Sequence, residues 1–335
     1  MNRSVPAVEI CGTLGPACAD EEILTAMIRN GMTALRLNLS HTTLRAMEPQ
    51  VRMAQRAAER CGAKLRLLMD MKGPEVRIGD LPAPLPVAEG DRIRLGEGGI
   101  PVPAEVLPHL LPGQEALLDD GKIALAVTAS HGAWAEARAV RGGILQRRKS
   151  LALPGCEIRL PAMTAEDLEN LALAKGLGIR GLMQPFVRGG DDLRAVRAAA
   201  EAAGYPELPI LAKIENRSGV ASLPELLPLS DEIVIARGDL GNAIPLWELI
   251  GVQKDIAAAC RAAGVPFVVV NQMLASMEEN PVPTRAEMSD IFNAVLDGAS
   301  MVMLTGETAA GKHPAEAILY MARAVREAEA YLRRK

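Results

Sequence analysis

Eight short apolar runs recur along the chain: AVEICGT (7–13), TALRLNL (33–39), KLRLLMD (64–70), IRGLMQPF (179–186), LPILAKI (208–214), DEIVIAR (231–237), VPFVVVN (265–271) and SMVMLTG (300–306). Each has the length of a strand, and amphipathic stretches of helical period lie between or after them. Two of those stretches open on capping patterns, Thr164-x-x-Asp167 before TAEDLENLALAKGLG and Thr284-x-x-Glu287 before TRAEMSDIFNAVLDG, and both end at glycine. Repeated strand–helix units call for a parallel sheet covered by helices. Eight of them favour closure into a (β/α)8 TIM barrel over an open sheet, because such barrels use about 250 residues.

A chain of 335 residues exceeds that, so the remainder must be an insertion. It falls after the third run. Over residues 79–147, Pro and Gly cluster in DLPAPLPVAEGD and GEGGIPVP, and short alternating pieces such as DRIRLG and GKIALAV replace helical periodicity. The expected organisation is a barrel built from 1–78 and 148–335, with a small β-rich domain at 79–147. An insertion after a barrel strand starts from the end where such barrels keep their active sites, so a lid is expected.

Composition narrows the function. The net charge is −4 and the pI about 5.8, so no global positive field draws in nucleic acid or an anionic membrane. No apolar run approaches the roughly 20 residues of a spanning helix. The five cysteines, Cys11, Cys18, Cys61, Cys156 and Cys260, are scattered without a CxxC pair, and the start MNRSVPAVEICGTLG lacks a basic-then-apolar signal segment. A cytoplasmic protein with reduced thiols is expected.

If the runs are barrel strands, the residues at their C-terminal ends form a site inventory. That inventory is charged. The second run ends in Arg36, Asn38, Ser40 and His41, the third in Asp70, Met71, Lys72, Glu75 and Arg77, and the fifth in Lys213, Glu215 and Asn216. The sixth ends in Arg237, Gly238 and Asp239, the seventh in Asn271 and Gln272, and the eighth in Thr305, Gly306 and Glu307. Glu215 and Asp239, if they converge, supply two hard oxygen ligands with positions left for substrate, as Mg²⁺ prefers in phosphate sites. Lys213 lies two residues before Glu215 and shares its face. Arg36, Lys213 and Arg77 are the cations that a transferring phosphoryl group needs. Gly238 lets backbone approach a ligand, and Asp239 lies where a helix start could receive a carboxylate.

Two patterns mislead. Gly306–Lys312 spells GETAAGK, one residue short of a P-loop, but His313 stands where the metal-binding hydroxyl belongs. His41, His109, His131 and His313 have no metal-ligand spacing. The basic run Arg147-Arg148-Lys149 returns the chain from the insertion to the barrel and is read as facing phosphates, against the plainer reading of a solvated hinge.

In order and over nearly the whole chain, the strand-end motifs resemble those of the pyruvate kinase family. The match includes TLGPA (13–17), RLNLSH (36–41), MDMKGPEVR (69–77), LLDDGKI (117–123), KSLALPG (149–155), AKIEN (212–216), ARGDLG (236–241), QMLASM (272–277), NPVPTRAEMSDIFNAVLDG (280–298) and MLTGETAAGKHP (303–314). The resemblance implies transfer of the phosphoryl group of phosphoenolpyruvate to ADP, giving ATP and an enolate that is protonated to pyruvate. By matching position, Glu215 and Asp239 would bind Mg²⁺ or Mn²⁺, Lys213 would neutralise the phosphoryl group in flight, and Arg36 would hold the phosphate. Asn38, Ser40, Asp70 and the carbonyl of Met71 match K⁺ ligands. Asn38, His41, Arg77 and Lys149 match the side of the site that takes the nucleotide. Gly238, Asp239 and Asn271 match substrate contacts, and Thr305 and Glu307 surround the enolate's proton source.

The departures bear on substrate. Asn271 replaces a threonine whose hydroxyl touches substrate in the family, Gln184-Pro185 replaces small residues before Phe186, and the match stops soon after the eighth helix, so the family's C-terminal regulatory domain is not expected. Two other readings stay open: a relative using the same metal–enolate chemistry on another small molecule, and a catalytically silent family member. A homodimer through barrel contacts is expected.

Overall fold

The computed structural model describes residues 8–335 except His41, Asp120, Glu157 and Arg159. Among them, eight parallel strands close into a barrel: β1 (Glu9–Thr13), β2 (Ala34–Asn38), β3 (Arg66–Asp70), β4 (Ile179–Gln184), β5 (Ile210–Ile214), β6 (Glu232–Ala236), β7 (Phe267–Val270) and β8 (Met301–Met303). Every strand pairs with its sequence neighbour, and β8 closes on β1 through Glu9↔Met301 and Cys11↔Met303. All eight apolar runs are strands. The two capping boxes also form: the side chains of Thr164 and Asp167, and of Thr284 and Glu287, each satisfy the other's backbone N–H at the start of Ala165–Ala174 and Arg285–Leu296.

Alternation along the strands sorts side chains between the helices and the barrel interior. The interior cluster of Cys11, Ala34, Leu68, Met183, Leu211, Val234, Ala236, Val268, Val270, Met301 and Met303 draws on all eight strands. On β3, Leu68 belongs to this cluster, so Arg66 and Asp70, two residues to either side, also point inward, at opposite ends of the barrel. Leu67 and Met69 face out and are buried as well.

The chain separates into two compact units. The barrel unit comprises Met1–Gly73, Ala162–Leu240 and Trp247–Lys335, and the second unit Pro74–Pro161 with Gly241–Leu246. The second unit has its own core, including Leu95, Leu110, Leu118, Leu125 and Leu145. Its larger sheet has five strands in the order Leu151–Ala152, Glu115–Leu118, Ile123–Ser130, Trp134–Arg141, Arg92–Gly96, and Leu85–Val87 pairs separately with Gly143–Leu145. It is β-rich, as read from the sequence, but extends past 79–147 on both sides. The reason is pairing between distant segments: Arg77 bridges Ser150, Ile78 N–H donates to the Lys149 carbonyl, and Leu151 pairs with Leu118. No helix among the described residues is long and apolar enough to cross a membrane.

Candidate active site

The C-terminal ends of β1, β2, β3 and β5 bring a connected set of polar side chains together inside the barrel unit. Arg36 donates from Nε to Asp70 Oδ2 at 2.6 Å and from Nη1 to Thr13 Oγ1 at 3.3 Å. Lys213 Nζ lies 3.2 Å from Asp70 Oδ2, 3.3 Å from Asp70 Oδ1 and 3.0 Å from Glu215 Oε1. The other Glu215 oxygen, Oε2, accepts the Phe186 N–H at 2.7 Å. Asp70 thus links two cations that stand 177 residues apart in sequence, the difference between 213 and 36. The side chains are only 12 % (Lys213), 2 % (Asp70) and 1 % (Glu215) exposed, so these contacts operate in a weakly screening medium.

Burial alone would lower the Lys213 pKa, but Asp70 and Glu215 outweigh it, with Asp239 adding a smaller contribution and Arg36 opposing. The net shift is upward, which keeps the ammonium charged. An ammonium has three N–H donors, and here they face three carboxylate oxygens, both of Asp70 and one of Glu215. Three carboxylates (Asp70, Glu215, Asp239) act on Lys213 against two cations, Lys213 itself and Arg36. The set therefore carries one excess negative charge, and a phosphate approaching it needs an accompanying cation.

Beyond β6 and β7, Asn271 and Gln272 have left-handed backbone, φ 76° and 53°. Asparagine tolerates this region and glutamine less so, at about 1–2 kcal/mol for an ordinary L-residue. Asn271 Oδ1 accepts the Gly238 N–H at 3.3 Å, and a Cβ on Gly238 would stand 3.3 Å from Asn271 Cγ. The Asn271 carbonyl accepts from Arg237 Nε at 3.2 Å and Nη2 at 2.6 Å, and the same guanidinium pairs with Asp290. At β8, buried Glu307 accepts the Thr305 N–H at 2.8 Å and the Leu274 N–H at 3.1 Å, tying the end of β8 to the segment after β7.

The pyruvate kinase barrel-domain family model matches residues 5–318. Among curated relatives, the chain is 37% identical to a pyruvate kinase of Chlamydia pneumoniae over 334 residues, covering 97% of this chain and 69% of that protein. It is 35% identical to one from Clostridium acetobutylicum (95% and 69%) and 37% identical to one from Aeropyrum pernix (94% and 69%). This chain belongs to the pyruvate kinase family. It is accordingly a phosphotransferase of the kinase class.

Within that pyruvate kinase frame, the barrel unit gathers Arg36, Asp70, Lys213 and Glu215 into one contact network, and Gly238 and Asn271 into a second. Half-buried Asp239 follows Gly238 on the short helix Arg237–Ala243. Of the monovalent-cation candidates, Asn38 ends β2 and its Oδ1 accepts the Ser40 N–H at 3.2 Å, Asp70 ends β3, and Met71 follows it, buried. Arg77 and Lys149 belong to the second unit. There Arg77 pairs with Glu75 at 2.7 Å and Lys149 with Asp119 at 2.8 Å, while Arg148 takes Asp80 at 2.8 Å. His41 lies outside the described residues.

Three participants have contacts in the structure for which the sequence suggested no role. Thr13 is an ordinary strand-end threonine, and its contact to Arg36 depends on the Thr13↔Arg36 register between β1 and β2. Arg237 stood in the strand-end inventory without a role. Asp167, read as a helix cap, also accepts the N–H groups of Lys72 and Gly73 at 2.9 and 3.0 Å, and so holds the turn after Asp70 and Met71. Gly73 is required there, because its φ is +57° and a Cβ would stand 2.5 Å from Pro185.

Proposed function

We propose that this chain transfers the phosphoryl group of phosphoenolpyruvate to ADP, giving pyruvate and ATP, with Mg²⁺ or Mn²⁺ and K⁺ bound. The observation that carries the reading is the buried Lys213 ammonium, held charged between Asp70 and Glu215. From there it meets the negative charge of a phosphoryl group as the bond to the enolate oxygen breaks and the bond to the nucleotide oxygen forms. Arg36, anchored on Asp70 through one face, has further N–H groups for the phosphate.

Glu215 and Asp239 fit a divalent cation. Both are hard oxygen donors, and the excess negative charge around Lys213 is what such an ion would balance. When bound, it supplies Lewis-acid stabilisation of the phosphoryl oxygens. Asn38, Ser40, Asp70 and the Met71 carbonyl present oxygens only, a donor set suited to an alkali cation. Arg77 and Lys149 are assigned to nucleotide phosphates, and Thr305 with Glu307 to the surroundings of the proton delivered to the enolate, on the strength of the family match. The reading takes the protein as a cytoplasmic homodimer without nucleic-acid or membrane partners, in keeping with its net charge of −4.

The test is a coupled assay with phosphoenolpyruvate, ADP and Mg²⁺, run in Na⁺ and in K⁺ at constant ionic strength. Turnover of roughly 1–10³ per second, faster in K⁺, is expected. Equal rates in the two salts would remove the assignment of Asn38, Ser40 and Asp70. Asn271 favours a second reading, the same chemistry on a different small acid, because its carboxamide offers two donors where the family has one hydroxyl. Absence of turnover with phosphoenolpyruvate, with activity on another enol phosphate, would select it.

A further inference from the structure

We propose that Arg237 is a positioning residue: its guanidinium holds Asn271 and Gln272 in left-handed backbone and so sets the direction in which the Asn271 carboxamide meets substrate. The kinetic part of this inference rests on the phosphoenolpyruvate reading above; the structural part does not.

Arg237 is 8 % exposed and stands where β6 passes into its helix. Nε and Nη2 both reach the Asn271 carbonyl, Nη1 and Nη2 reach Asp290 at 2.8 and 2.7 Å, and Met273 Sδ lies 2.8 Å from Nη2. One planar group thus grips the first and third residues of the Asn271–Gln272–Met273 turn, with Gln272 exposed between them. A planar fork suits this task because it fixes direction as well as charge. Two consecutive non-glycine residues at positive φ persist only where their surroundings over-determine them. The Arg237 contacts are such surroundings.

The grip has a chemical consequence. With Asn271 Oδ1 turned onto the Gly238 N–H, the amide nitrogen is the part of the carboxamide left to face a ligand. It is a donor only, so the group it selects is an acceptor, such as a carboxylate. If the turn relaxes toward ordinary right-handed backbone, Asn271 leaves Gly238 and that donor moves. A residue that works in this way should influence substrate affinity more than the chemical step.

The test uses the intact protein and three variants, Arg237→Gln, Asp290→Asn and the double variant Arg237→Gln with Gln272→Gly. Arg237→Lys, which keeps the charge beside Asp290 but loses the fork, substitutes for Arg237→Gln if that variant does not fold. Two readouts are taken: hydrogen–deuterium exchange of the peptide spanning 271–274, and KM and kcat for phosphoenolpyruvate. Loss of the fork should raise exchange in that peptide and raise KM about tenfold with kcat changed less than about twofold, within the range for a misplaced binding group. Asp290→Asn keeps one of the two oxygens that accept from Arg237 and sets an amide N–H₂ against the other guanidinium N–H, so it should raise exchange and KM clearly less than loss of the fork does. Gln272→Gly, free at positive φ, should recover most of the lost affinity in the double variant.

Equal effects of Arg237→Gln and Asp290→Asn would reduce Arg237 to an ion-pair partner and overturn the proposal. So would unchanged exchange and KM on loss of the fork, or no recovery from glycine. If wild-type protein does not use phosphoenolpyruvate, the functional reading fails, and the exchange measurements still decide the role of Arg237.

Discussion

The two ends of β3 handle buried charge differently. At the N-terminal end Arg66 donates from Nη1 to Glu9 at 2.8 Å and from Nη2 to Glu232, so one cation on β3 joins carboxylates on β1 and β6. At the C-terminal end Asp70 is the hub, and its partners are the cations Arg36 and Lys213. Counting the charges that act on the central buried group, each end holds more carboxylates than cations: Glu9, Asp231 and Glu232 against Arg66 below, and Asp70, Glu215 and Asp239 against Arg36 and Lys213 above. Below, burial raises the Glu232 pKa, with Arg66 only partly offsetting it, so a proton is the available neutraliser. Above, in the proposed function, a divalent cation takes that place. The lesson is that charge excess alone does not mark an active site; what differs is whether the set has donors and ligands left for something from outside.

Removing the central cation at each end separates the two most sharply. Lys213→Met should lower kcat at least about a hundredfold per folded molecule, as for loss of an electrostatic stabiliser of the transition state. It also leaves Asp70 and Glu215 short of a partner, so the folded fraction must be measured by circular dichroism alongside the rate. An unchanged kcat would erase the distinction between the two ends.

Arg66→Met should do the converse. It should cost about 1–2 kcal/mol of stability, less than for a fully buried ion pair because Arg66 and Glu9 keep 21% and 34% of their side chains exposed, with kcat per folded molecule unchanged. Urea unfolding and the steady-state assay together measure this, and a large kcat loss would mean the N-terminal network reaches the site.

A smaller effect is expected from Asn271→Thr, which sharpens what the C-terminal end recognises. A β-branched residue is a poor occupant of φ 76°. A fall of about tenfold in kcat/KM for phosphoenolpyruvate, equivalent to about 1.4 kcal/mol, is the expected result. A tenfold gain would favour the alternative substrate.

The smallest expected effect concerns pH. Because the folded-state pKa of Glu232 lies above its ordinary value of 4.5, the native state binds more protons than the unfolded state over that interval. Its stabilising contribution is complete below pH 4.5 and is lost as pH rises through the folded value. Glu232→Gln should flatten this part of the stability profile, and an identical slope in wild type and variant would show that Glu232 does not neutralise the N-terminal end by taking up a proton.

Much of the architecture was legible in local pattern. Strand positions came from apolar runs whose alternation is set within four or five residues, and the helix starts from capping pairs three residues apart. The pairing of Lys213 with Glu215 was legible too, since residues two apart on a strand share a face whatever the rest of the chain does. The edges of the second unit were not, because 74–78 and 148–151 join it by pairing with each other.

What the sequence by itself determined is therefore the set of strands, the face each side chain takes, and the chemical inventory at the strand ends. Only the tertiary structure decided which members of that inventory touch. Arg36 meets Asp70 across 34 residues and Lys213 meets it across 143, and both contacts depend on the register with which the barrel closes. The left-handed turn at Asn271 and Gln272 belongs to the same class. Neither residue demands that backbone; in the proposal above it is held by Arg237, the residue after β6, through the Asn271 carbonyl. The physical reason is that periodicity is a property of near neighbours along the chain, whereas convergence and strain depend on closing long loops whose ends carry no local mark of where they will meet.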